Sequence, residues 1–256
     1  MKPGRQSLVA ALVAWAAALA APAGAAEETP LHEVHARLAL AAAPWCGRAT
    51  ELRADGRRVC TLTVTVLPAD QALAVNLLDH VVVSPGFLSK VSADELAAVL
   101  GHEFAHFALG HARWNALDRA QVQPLAAAVQ HMLDRLPEPH AETPTSPQQR
   151  ELDADGLGQL LALRAGYDPA AAARLFAQAP QRLAGWQDAA AGSATHPPTP
   201  ERAQALAARA QALCQRLRAG QPLLPSEDRL LPAQDYRREE AQAAPLPPTS
   251  ACAGVP

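Results

Sequence analysis

The sequence His102-Glu103-Phe104-Ala105-His106 sets two imidazoles and a carboxylate into a stretch that also carries Leu96, Val99, Leu100 and Phe107. Helix formers surround it. Ahead of it, Ser92-Ala93-Asp94-Glu95 has the spacing of a capping box, in which the Ser92 hydroxyl accepts from the Glu95 N–H and the Glu95 carboxylate reaches back. Gly110 is a natural stop. On such a helix, residues four apart share a face, so His102 and His106 can converge on one ion while Glu103 points about 100° away. Two readings follow. The helix lies at the surface and its His and Glu side chains meet water, or it is buried and the three groups serve a metal ion. In the second, Glu103 stands beside the open coordination position as a base. The apolar flanks favour the second, because polar groups without partners are costly in a dry interior.

A catalytic zinc site takes three protein ligands and keeps one position free. His111 is near at hand, but it falls five residues beyond His106, with Gly110 at four. The longer histidine pattern, with glycine at three and histidine at six, is therefore not met. His111 is expected at a helix end, exposed or supporting a ligand. Glu151 is the better third ligand. Arg150-Glu151-Leu152-Asp153-Ala154-Asp155 opens a segment that turns apolar at Leu157, Leu160 and Leu161, and Glu151 and Asp155 share a helix face. That pairing suits a ligand carboxylate with a second carboxylate that accepts an imidazole N–H or handles a proton. Acids early in a helix also favour its dipole, so the pair alone does not decide. Asp153 lies on another face and is expected in solvent.

The rest of the chain bounds the fold. Its 256 residues suffice for one large domain or two small ones. With 49% hydrophobic and 18% charged residues it is neither disordered nor collagen-like. Lys and Arg number 22 against 25 Asp and Glu, so no basic excess exists to neutralise phosphates, and nucleic acid is not an expected partner. Aromatic residues are only 4%, which disfavours a β-sandwich and favours a mainly helical α+β chain. Lys2 and Arg5 precede an apolar run from Ser7 to Ala21 and a small-residue site near Ala25 and Ala26, the pattern of a secretory signal peptide. The run is shorter than the about 20 residues that span a bilayer, so cleavage is expected rather than an anchor. No later segment has the length for stable membrane insertion.

Cys46, Cys60, Cys214 and Cys252 are even in number, as in an oxidising compartment. Three pairings are open, and the sequence-local one, Cys46 with Cys60 and Cys214 with Cys252, closes the smallest loops. Leu31 to Ala43 reads as helix. Val59 to Leu67 alternates as a strand, and Ala72 to Asn76 and His80 to Ser84 are further strands, giving a sheet of about three. Helices are expected over Asn115 to Leu136, Gln148 to Ala165, Pro169 to Ala179 and Glu201 to Ala219. Loops are expected over Pro137 to Pro147 and Gly185 to Pro200. His32, His35, His131 and His140 read as surface residues, and Trp45, Trp114 and Trp186 as core or interface fillers. Residues 1–26 are assigned to the signal peptide, 27–219 to the folded domain, and 220–256 to a Pro-rich tail on the surface.

H-E-x-x-H followed by Glu151-x-x-x-Asp155 resembles the gluzincin zinc metallopeptidase family that includes the CAAX prenyl protease and the HtpX membrane protease. Asp94 to Gly101 resembles that family's approach to its zinc helix. Ala154-Asp155 with Ala165-Gly166-Tyr167-Asp168-Pro169 resembles its second metal helix, and Thr195-His196-Pro197 with Arg202 resembles a third motif. The resemblance implies a zincin-like metalloprotease domain with a small β-sheet flanking the active-site helix. It implies one Zn2+ per chain held by His102, His106 and Glu151, with Glu103 as general base. Asp155 would support a ligand or donate a proton. His196 and Arg202 would line the cleft, stabilising the oxyanion or, at rest, closing the open zinc position. Two departures stand out. The segment Asn76 to Val83 lacks the family's glycine-rich turn, and no membrane-spanning helices follow the signal, so the likeness is closer to soluble periplasmic members. The expected function is a periplasmic zinc endopeptidase cutting unfolded or extended protein substrates, misfolded or unassembled envelope proteins among them, laid against the strand near Asn76 to Ser84. The alternative is a chaperone-like binding protein whose cleft His196 keeps shut.

Overall fold

A computed structural model of the chain describes residues 28–68, 74–77, 79–111, 135–137, 146–183, 199–223 and 246–256. The described elements are helices α1 (Glu28–Ala42), α2 (Pro85–Leu88), α3 (Ala93–Ala108), α4 (Pro147–Arg164), α5 (Ala171–Arg182) and α6 (Thr199–Arg218), with strands β1 (Thr50–Leu52), β2 (Arg58–Cys60), β3 (Thr63–Val66), β4 (Ala74–Leu77) and β5 (His80–Val83). The fold is α+β and mainly helical, as the sequence implied.

α3 forms the centre. Its capping box is present in both directions, with Ser92 Oγ accepting from Glu95 N at 3.2 Å and Glu95 Oε2 accepting from Ser92 N at 2.8 Å. Arg182, from the end of α5, pairs with the same Glu95 carboxylate, tying two helix ends together. α3 is covered on one side by α1, which buries Leu31, Val34 and Leu38 at helical spacing, and on another by α4, which buries Leu157, Leu160 and Leu161. α3 and α4 meet at two glycines. A Cβ on Gly158 would stand 2.7 Å from the His102 backbone, and one on Gly101 would stand 2.7 Å from the Gly158 carbonyl oxygen. No side chain fits between these backbones.

The strands form two small sheets. β1 and β2 make an antiparallel pair, and the second sheet has the order β3-β5-β4, with β3 parallel and β4 antiparallel to β5. Two expectations are corrected here. Val59 to Leu67 is not one strand. It breaks at Thr61 and Leu62, where Thr61 N donates to Ala49 O and His35 Nε2 lies 2.7 Å from Leu62 O, so β2 belongs to the hairpin and β3 to the other sheet. His35 is accordingly a half-buried brace rather than a surface residue, and its ring also packs on Phe104. Among the described residues β3 and β4 are the two edges of this sheet and β5 lies between them, so of the segment Asn76 to Ser84 only the part in β4 lies at an edge.

Smaller shifts have local causes. Pro169 precedes α5 instead of opening it, because Asp168 Oδ1 takes the Ala170 N–H and Asp168 N donates to Asp94. The disulfides pair Cys46 with Cys60 and Cys214 with Cys252, the sequence-local arrangement. The second contradicts the surface position expected for the end of the tail. Ala251, Cys252 and Val255 are buried against α6, and Arg218 donates to the Cys252 and Val255 carbonyls. Trp45 is buried, as expected of a core filler. The signal segment, most of the expected helix Asn115 to Leu136, Trp114, His131, His140, Trp186 and His196 lie outside the described residues. Among those described, no helix is long and apolar enough to cross a membrane.

Candidate metal centre

α3 presents His102 and His106 on one face, and α4, held close by the glycine crossing, brings Glu151 opposite them. One donor atom from each lies within 4.8 Å of the others. The two Nε2 atoms are 3.0 Å apart, His102 Nε2 is 3.4 Å from Glu151 Oε2, and His106 Nε2 is 3.3 Å from Glu151 Oε1. A tetrahedral ion with bonds of about 2.0–2.1 Å spaces its donors about 3.3–3.4 Å apart, so this triangle has the size that zinc needs. Two nitrogens and a carboxylate oxygen are also the donor set of a catalytic zinc site. The residues fit the ion.

Each imidazole is gripped at its other nitrogen. His102 Nδ1 donates to Asp155 Oδ1 at 2.9 Å, and Asp155 is held by two bonds from Arg202, from Nε and Nη2, both at 2.7 Å. The Arg202 guanidinium lies over the Phe176 ring at 4.6 Å. Sequence reasoning placed Arg202 in the cleft; its two-pronged bond commits it to Asp155 inside the protein, where it is 7% exposed. His106 Nδ1 is 3.0 Å from His111 Nδ1. His111 is buried, which corrects the exposed position considered for it and keeps the supporting one.

The charges are coupled. Burial alone would lower His102, but hydrogen bonds to Asp155 and Glu151 outweigh it and lift the imidazole to about 10, so without a metal it holds a proton. Burial would raise Glu151 and Asp155. The His102 and His106 contacts to Glu151, and the Arg202 and His102 contacts to Asp155, instead hold both below the usual carboxylate range. Asp155 is thus held anionic between His102 and Arg202. His111 is pushed down to about 2, by burial first and then by the charges of His106 and Arg150. Burial also raises Asp153, which is half-buried and accepts from Gln149, not free in solvent as expected.

Glu103 is half-buried on the adjoining face of α3, close enough to feel the Arg202 charge. Sequence reasoning found the trio and the Asp155 contact. It missed the Gly101–Gly158 crossing, Phe176 and the seat of His111. The glycines stand next to His102 and seven residues after Glu151, which was a readable signal of close helix approach.

Comparison with known proteins gives one finding. The family model for Peptidase family M48 matches residues 72–135 and 143–210, together just over half the chain. The matched span contains His102, His106, Glu151, Asp155 and Arg202, and it stops short of both disulfides. No curated protein and no solved structure matches.

Proposed function

The chain belongs to peptidase family M48, whose members are zinc-dependent metallopeptidases, and from that premise we propose that it is an endopeptidase of the bacterial periplasm that cuts misfolded or unassembled envelope proteins. The observation that carries the catalytic reading is the donor triangle of His102, His106 and Glu151 with its buried support. Bound zinc supplies Lewis acidity, polarising the scissile carbonyl and acidifying a water molecule. Glu103 takes the proton from the attacking water and passes it to the leaving amine nitrogen as the C–N bond breaks. Asp155 keeps the His102 proton on Nδ1, leaving the Nε2 lone pair for the metal, and Arg202 holds Asp155 in place. His196 is assigned to the cleft on its motif alone, three residues before α6 begins.

The substrate reading rests on β4. Its outer edge offers main-chain donors and acceptors to an extended peptide, a mode of capture that suits unfolded chains with little sequence preference. The periplasm is supported by the signal-like start and the two disulfides, and membership of the soluble branch by the lack of a membrane-length helix among the described residues. Metal analysis paired with casein degradation tests the function. Wild type and Glu103→Gln should both hold one zinc, and the variant should degrade casein about 10²- to 10⁴-fold more slowly. Undiminished degradation by Glu103→Gln would reject the assigned base.

A further inference from the structure

We propose that His111 is a positioning residue of the metal centre: it accepts a hydrogen bond from His106 Nδ1, fixing the tautomer and ring orientation that turn the His106 Nε2 lone pair toward Glu151 and His102. The inference rests on the ligand set above and extends it by one side chain. The two Nδ1 atoms are 3.0 Å apart, the ring centroids 5.1 Å apart and the planes inclined at 67°. Both rings are buried, at 8% and 5% exposure, so no bulk water competes for the contact. A histidine that gives Nε2 to an ion carries its proton on Nδ1. In this pair His106 therefore donates, His111 accepts, and His111 keeps its own proton on Nε2.

The chain builds the contact through the end of α3. Gly110 has φ +72, the left-handed conformation that ends helices, and it swings His111 back across the last turn onto the residue five positions earlier. The two arms of the centre then differ. His102 leans on a carboxylate clamped by a guanidinium, and His106 leans on an imidazole. The His102 ring is held by a charged acceptor, whereas the aim of the His106 ring rests on the neutral His111 nitrogen alone.

Long-range proton–nitrogen correlation of the histidine rings, in protein loaded with zinc ion alone, reads the tautomers directly. The expected spectrum has His106 bound through Nε2 and protonated at Nδ1, with His111 bare at Nδ1 and protonated at Nε2. Protonation of His111 at Nδ1 overturns the role of His111 and leaves the ligand set standing. A His106 ring that does not respond to zinc overturns the ligand set, and His111's role with it. Chelator competition gives a second readout. His111→Leu should weaken zinc binding about 10- to 100-fold. His111→Asn, whose Oδ1 falls where the imidazole Nδ1 stands, should recover most of that loss. Unchanged affinity in His111→Leu, or equal losses in the two variants, overturns the proposal. If His111→Leu fails to fold, the ring correlations and His111→Asn decide.

Discussion

Arg202 and Asp155 are each about nine-tenths buried, and their two 2.7 Å bonds are the means by which a cation on α6 reaches the first imidazole on α3. Removing the guanidinium leaves Asp155 with His102 to balance its charge in a dry setting. Breaking a buried pair costs about 3–5 kcal/mol, and the retained His102 contact places the loss at the lower end. Arg202→Ala should therefore lower the stability of the metal-free protein by about 3 kcal/mol in urea denaturation and weaken zinc binding about 10- to 100-fold, while Arg202→Lys, charged but without the fork, should fall between. The same coupling sets a pH dependence. In the metal-free protein His102 keeps its proton up to about 10, and zinc needs the neutral ring, so near pH 7 to 8 binding must release close to one proton and affinity should rise about tenfold per pH unit. Calorimetry in buffers of different ionisation heat measures that release, and zinc uptake without it would contradict the assignment of His102. Stability of the metal-free form runs the other way. A group whose pKa is raised on folding stabilises below its ordinary value of 6.5 and loses that contribution as pH climbs toward about 10.

At the scale of elements, the distance between α3 and α4 decides whether a metal site exists, and Gly101 and Gly158 set that distance. The Cβ of Gly158→Ala would meet backbone at 2.7 Å, and backbone cannot rotate away as a flexible side chain can. The helices must part, carrying Glu151 away from His102 and His106. Overpacking of this kind costs about 1–3 kcal/mol, offset by up to about 1 kcal/mol from the better helix propensity of alanine. The variant should thus show a modest fall in melting temperature and a disproportionate loss of zinc affinity by chelator competition. Equal zinc affinity in Gly158→Ala and wild type would show that the crossing does not size the site. Much of this geometry was legible in the sequence because it is local. The capping box, the four-residue spacing of the histidines and the Glu151–Asp155 pairing each follow from helix periodicity. The break at Thr61 and Leu62, the Arg202 fork and the seat of His111 were not, since each depends on a partner that only the folded chain brings near.

For the whole molecule, the family-matched span holds the metal centre, while each disulfide staples a segment outside it. Cys46–Cys60 closes the hairpin region beside α1, and Cys214–Cys252 fastens the chain's end to α6, where Ala251 and Val255 are buried. Loop-closure entropy assigns about 3 kcal/mol to the first and about 4 kcal/mol to the second. Replacing Cys214 and Cys252 by serine should lower the melting temperature clearly and leave zinc stoichiometry unchanged, as read by calorimetry and metal analysis. Local pairing of the cysteines was readable from their spacing, whereas burial of the tail was not, because a Pro-rich composition says nothing about a few apolar residues docked by a distant helix. The most direct measurement on the metal centre is anomalous diffraction at the zinc edge from crystals grown with zinc. The expected result is one peak bonded at about 2.0–2.2 Å to His102 Nε2, His106 Nε2 and a Glu151 oxygen, with a fourth position free of protein. A peak elsewhere, or a permanent fourth protein donor on this one, would contradict it.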